Sequence, residues 1–100
     1  MGLSAEKVVE GNISPLGYQQ IDTATLATST ALTVPSGARI ALVVVGGGQA
    51  VRWRDDGSDP SGTVGMPVAD GATLPYAGDL TAIRFIRVAS GAVLNVSFYK

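Results

Sequence analysis

The chain has no cysteine and no histidine. The first absence excludes a disulfide framework and a thiolate metal site. The second removes the commonest general base and the commonest transition-metal ligand together. Charge is scarce as well. Charged side chains make up 15% of the 100 residues, against roughly 25% in an ordinary globular domain. The seven Lys and Arg are scattered and the formal net charge is −1, so no basic footprint for nucleic acid is visible. The longest apolar run, Ile40 to Val45, falls far short of the ~20 residues that a membrane span needs. The opening "MGLSAEKVVEG" lacks the basic flank and apolar core of a signal peptide. Gly2 fits the start of a myristoylation motif, but Glu6 stands where that motif wants Ser or Thr. The expectation is a soluble protein made inside a cell, with neither membrane nor nucleic acid as partner.

The shortage of charge points somewhere. A domain of this size buries one core and has much surface for its volume, so ionic side chains should be plentiful if it lived alone. Ala, Gly, Thr, Ser and Val take their place. Depletion of charge is what the buried centre of a protein–protein patch shows. An obligate assembly, a homo-oligomer among its forms, is therefore expected. A monomer with a Ser/Thr-rich surface is the alternative.

What is present reads as β-structure. Residues 1–17 carry few periodic hydrophobes and end in "GNISPLG", which predicts an extended N-terminal arm, with one helical turn at "AEKVVEG" as the rival. From Tyr18 onward, Thr, Ile, Leu and Val dominate. Leu32 and Val34 alternate with Thr33 up to the Pro-Ser-Gly turn. "ARIALVVV" is apolar on both parities, as for a central strand covered on both sides. Gly46, Gly47 and Gly48 end it, and in "QAVRWR" Val51 and Trp53 then face one way, Arg52 and Arg54 the other.

The segment "SDPSGTVGMPVADGATLPYAGD" has room for short edge strands only. In "LTAIRFIRVASG", Ile83 and Phe85 share one parity while Ile86 and Val88 share the other. A β-bulge would bring all four to the core; a helix through Leu80, Ile83 and Ile86 is the competing reading. "AVLNVSFYK" alternates cleanly, with Leu94, Val96 and Phe98 inward and Asn95, Ser97 and Tyr99 outward. Six to eight strands and no convincing helix predict an all-β, jelly-roll-like β-sandwich over 18–100.

Little in this pattern suggests chemistry. Asp55, Asp56 and Asp59 in "RDDGSDPSG" are the only carboxylate cluster. They do not match the spacing of a helix–loop–helix calcium loop. A turn held by Asp side chains around Gly57 is the simpler reading, with a bound calcium ion as the alternative. Nothing separates their pKa values for acid–base work. "VVVGGGQAV" matches no phosphate-cradling motif, and no Ser has a His or Lys partner. Trp53, Tyr18, Tyr76 and Tyr99 could stack on sugar rings, although Trp53 shares its face with Val51 and is expected to pack in the core. Arg52 and Arg54 are expected to pair with an acid on a neighbouring strand or with another subunit. No catalytic, cofactor-binding or metal site is expected.

The block "VRWRDDGSDPSGTVGMPVADGATLPYAGDLTAIRFIRVASGAVLNVSFYK" resembles small virion proteins of tailed bacteriophages. The likeness rests on an Arg-aromatic-Arg strand, "DDG", "VGMP", "YAGDL", "RFI" and the closing "LNVSFY", and "TALTVPSGARIAL" before them also fits. It covers residues 29–100 and leaves out the arm. The resemblance implies a structural protein of the particle, most specifically a capsid decoration (cement) protein. Such a protein would sit on the outer surface of the head as a trimer, bind the major capsid protein and bridge neighbouring capsomers, with the 1–17 arm reaching across. Tail-tube, tail-fibre and connector modules are other places in the virion for such a chain. A carbohydrate- or receptor-binding module of a tail or fibre is the rival from another class.

Overall fold

The structure is a computed structural model and describes residues 13–100. Eight strands build it: β1 (Pro15–Ile21), β2 (Thr30–Ala31), β3 (Ile40–Gly46), β4 (Val51–Arg54), β5 (Met66–Val68), β6 (Thr73–Tyr76), β7 (Arg84–Arg87) and β8 (Val93–Tyr99). They form two antiparallel four-stranded sheets, ordered β1-β8-β3-β6 (sheet A) and β2-β7-β4-β5 (sheet B). First pairs with last, β1 with β8, then β2 with β7, β3 with β6 and β4 with β5. One long hairpin closed at the β4–β5 loop has in effect been rolled up, which brings β3 beside β8 and β4 beside β7. That is the jelly-roll arrangement of a β-sandwich, as the strand pattern predicts.

The core lies between the sheets. Sheet A supplies Ala41, Val43, Val45, Leu94, Val96 and Phe98, and sheet B supplies Val51 and Phe85, all buried. Each of these alternates with an outward neighbour, as the pleat requires. Two loops add plugs. Leu26, on a single 3-10 turn (Thr25–Ala27), is fully buried, as is Ile83 just before β7. Among the described residues no polar or charged side chain is buried.

Both short strands of the Pro-rich segment are sheet edges: β5 carries Pro67 and β6 carries Pro75. An edge position tolerates proline because no partner strand needs its missing N–H. The triple glycine is a tight turn. Gly47 and Gly48 both have φ near +85° (82° and 87°), and Gly47 packs directly against the backbone of Gly91.

Three expectations are corrected. The arm's residues 1–12 lie outside the described residues, but Pro15, Leu16 and Gly17, read as arm, belong to β1. Their backbone continues the ladder with β8, and the pairing extends to Ser14 and Lys100, whose backbone groups bond in both directions (2.9 and 3.3 Å). No bulge interrupts β7. Its register against β4 runs unbroken from Arg84 to Arg87, Ile86 is half-buried, and Val88 is 43% exposed. Arg87 shares the inward parity of Phe85, and its guanidinium escapes by donating to the Thr23 carbonyl oxygen at 2.9 Å. The competing helix is absent as well; residues 80–82 form a turn. Finally, β3 is buried on one face only. Ile40, Leu42 and Val44 point outward and stay half-buried, because no layer of the described chain lies over that side of sheet A.

Candidate functional site

The "RWRDDG" cluster lies where β4 runs into the β4–β5 loop. Trp53 is half-buried and packs on the core margin, with its ring edge-on to Tyr76, centroids 5.8 Å apart at 67°. Tyr76 comes from β6 of the opposite sheet, and its hydroxyl donates to Asp55 at 2.7 Å. Burial, followed by that carboxylate, pushes the Tyr76 phenol up to about 12. Hydroxyl, ring and carboxylate thus clamp the two sheets at one corner of the sandwich.

The two arginines behave differently from the sequence expectation. Arg52 bonds to backbone carbonyls, with Nη1 donating to Gly65 at 2.8 Å and Nε to Gly62 at 3.3 Å. It holds the β4–β5 loop over the outer face of sheet B. Arg54 pairs with an acid, but one on its own loop: Nε donates to Asp56 Oδ1 at 3.0 Å. That bond holds the Asp56 carboxyl below the usual carboxylate range and raises the guanidinium. Neighbouring strands carry no carboxylate at the opposing positions; Arg54 faces Arg84 across β7.

The three loop carboxylates do not converge. Asp55 takes the Tyr76 hydroxyl, Asp56 takes Arg54, and Asp59 accepts from the Ser29 hydroxyl at 2.9 Å. Among the described residues no group of three acidic side chains is gathered as a cation would need. Asp56 also accepts from the Ser58 N–H at 3.3 Å, and Gly57 has φ +88°. The turn reading describes this loop.

Two surface depressions are worth testing for chemistry. One, of about 460 Å³, lies beside Trp53, Asp55, Asp56 and Met66. The other, of about 590 Å³, opens at the end of the sandwich between Val34, Arg39, Asp79, Leu80 and Lys100. In the second, the Thr81 hydroxyl donates to Asp79 at 2.7 Å. The Thr81 side-chain and backbone donors hold Asp79 below the usual carboxylate range, which weakens it as a base for that hydroxyl. Nor do the aromatics make one platform. Trp53 and Tyr76 meet at the sandwich margin, whereas Tyr18 and Tyr99 lie on the outer face of sheet A.

That outer face is the feature that sequence reasoning missed. Its strands β1, β8, β3 and β6 contain no charged residue at all. Every arginine of the strands, Arg52, Arg54, Arg84 and Arg87, is in sheet B. The cross-strand register lays Tyr18 beside Ser97 and Gln20 beside Asn95. Ser97 and Asn95 lie in turn beside Leu42 and Val44, and Pro75 and Thr73 beside those. Three of its polar side chains are paired with each other. Asn95 Oδ1 accepts from the Tyr18 hydroxyl at 2.6 Å and from Gln20 Nε2 at 3.1 Å. The signal was available as the apolar second parity of β3, but sequence alone could not say that nothing in the described chain covers it.

Compared with known proteins, the chain matches no family model, no curated protein and no solved structure.

Proposed function

We propose that this chain is a non-enzymatic structural protein of a bacteriophage virion. The specific reading is a decoration (cement) protein that binds the major capsid protein on the outer head surface and bridges neighbouring capsomers as a homo-oligomer. The observation that carries it is the partition of charge. One whole sheet of the sandwich is free of ionic side chains, and the charge its surface lacks is collected on the other sheet and the loops. Water-facing sheets keep charges to stay soluble and to blunt association. A face without any is suited to lie against protein.

The absence of histidine and the separate engagement of each loop carboxylate support a role without catalysis. So does Asp79, whose hydrogen bonds lower its basicity. The phage assignment comes from the resemblance over residues 29–100, and a compact jelly roll with few ionic groups suits a shell component. Many copies around a symmetric shell raise the effective concentration at each further contact, so modest interfaces suffice.

The test is direct. Heads of a phage encoding this chain, assembled without it, should bind the purified protein at saturable, symmetric occupancy when co-sedimented and imaged. Absence of binding to heads, with retention on a glycan array that Tyr18→Ala abolishes, would establish the rival carbohydrate-binding module instead.

A further inference from the structure

We propose that the depression at the end of the sandwich is the docking site for this chain's own residues 1–12, which lie outside the described residues. The inference goes beyond the decoration reading and does not depend on it.

The depression is built before anything enters it. One wall is the turn that leads into β3. Its Ala38 N–H donates to the Pro35 carbonyl oxygen at 3.1 Å, and the Arg39 N–H donates to the Tyr99 carbonyl oxygen at 2.8 Å. The second bond ties this wall to the end of β8. The other wall is the β6–β7 loop, where the Ala82 N–H donates to the Asp79 carbonyl oxygen at 3.1 Å and the Thr81 N–H to its carboxylate at 3.0 Å. Val34, Ile40 and Leu80 give the depression its apolar lining. Its volume of about 590 Å³ falls within the range of ligand pockets, roughly 300–1,000 Å³.

Three observations choose the occupant. The first is where the chain enters. β1 runs antiparallel to β8, and backbone bonds between Ser14 and Lys100 extend their ladder. Toward the N-terminus the chain therefore passes beyond the end of β8, where the depression opens. Ile13, the first described residue, already lines it and is half-buried. The second is reach. Glu10 stands three residues before Ile13, about 10 Å of extended chain, and Val8 lies within about 17 Å. So short a tether holds the segment at an effective concentration of about millimolar, which a separate partner must exceed.

The third is complementarity. Arg39 and Lys100 are exposed at the depression, and among the described residues neither is in an ion pair. Asp79 is the carboxylate there, and Thr81 engages it through two bonds. Two cations thus stand against one carboxylate. The segment carries the reverse, Glu6 and Glu10 against Lys7, with Val8 and Val9 between them. Exposed ion pairs contribute little, so the two valines supply most of the affinity and the charges set the orientation. A segment held in this way is withheld from other subunits until a partner displaces it.

The chain has no cysteine, so Ala5→Cys gives a single attachment point for a nitroxide on the full chain. Paramagnetic broadening of backbone amide signals then reports where the segment lies. Docking predicts broadening over residues 38–40 and 78–81, on the two walls. Val8→Ser combined with Val9→Ser changes nothing within the described sandwich, and should lower the docking constant by about ten-fold or more. Arg39→Glu should lower it by about three-fold, and Glu10→Arg in that background should restore it. Mixing nitroxide-bearing chain with isotope-labelled chain free of nitroxide should broaden nothing, because the contact lies within one copy. Broadening confined to the neighbours of Ile13, or indifferent to the valine substitutions, would overturn the inference. So would broadening of the same amides in the mixed sample, which would give the depression to the segment of another copy.

Discussion

The Tyr76 hydroxyl donates to the Asp55 carboxylate at 2.7 Å, joining the last residue of β6 in sheet A to the residue that follows β4 in sheet B. It is a charge-assisted bond at a corner where the sandwich has no strand pairing to hold its layers together. Tyr76 is itself nearly buried, and its hydroxyl reaches the sandwich margin to meet Asp55.

Removing that hydroxyl by Tyr76→Phe should cost about 1.5–3 kcal/mol, the usual range for a hydrogen bond to a charged group, measured by urea denaturation at pH 7. The pH dependence follows from the raised phenol. In the unfolded chain Tyr76 ionises near 10, in the folded chain near 12, so between those values the unfolded state alone sheds the proton and is favoured. The advantage of the parent over Tyr76→Phe should hold from neutral pH up to the phenol's unfolded value near 10 and disappear as the pH rises to about 12. An advantage that persisted there would mean that the bond is not formed in solution.

Gly47 and Gly37 make a matched pair. Both have φ above +80°, so alanine at either adopts a left-handed conformation at a cost of about 1–2 kcal/mol. At Gly37 a Cβ meets nothing within 4 Å, whereas at Gly47 it would lie 1.9 Å from the Gly91 carbonyl oxygen. Gly37→Ala should show only the conformational cost. Gly47→Ala should lose a further ~1–3 kcal/mol from overpacking, or fail to fold. Equal melting temperatures for the two would contradict the close approach of these turns.

Aromatic truncation should rank by burial. Phe85 is fully buried at the centre of sheet B, and Phe85→Ala should destabilise by about 3–5 kcal/mol. Trp53 keeps part of its surface exposed at the margin, where solvent can fill the space that truncation leaves, so Trp53→Ala should cost less than Phe85→Ala. Chemical denaturation of both variants checks the order, and the reverse order would place Trp53 deeper than the structure does.

Calcium should leave the protein unmoved. Asp55, Asp56 and Asp59 hold three different partners, and a cation binding the native state would have to stabilise it measurably. Thermal melts with millimolar calcium and with a chelator should coincide to within about 1 °C. A rise with calcium would show that the loop rearranges to gather its carboxylates.

Strand identity was largely legible because a half-buried strand writes its parity into the sequence. Leu94, Val96 and Phe98 turn inward and Asn95, Ser97 and Tyr99 outward as the alternation of β8 requires. Where both parities are apolar the code fails. Ile86 and Val88 suggested a bulge because hydrophobicity alone cannot distinguish a core position from an outer face, and β3 suggested burial on both sides for the same reason. Arg52 was misjudged differently. Its partners are the carbonyls of Gly62 and Gly65, ten and thirteen residues on, and backbone acceptors leave no trace in side-chain composition.

By itself the sequence determined that this is an all-β sandwich, that it has no histidine or cysteine chemistry, and that its charge is too sparse for an ordinary surface. Local periodicity and composition suffice for those, since each depends on residues close together in the chain. Only the tertiary structure decided where the missing charge is missing from. Rolling first strand against last gathers β1, β8, β3 and β6, scattered over most of the chain, into one sheet whose outer side carries no ion. That juxtaposition is set by long-range pairing, which no window along the sequence contains.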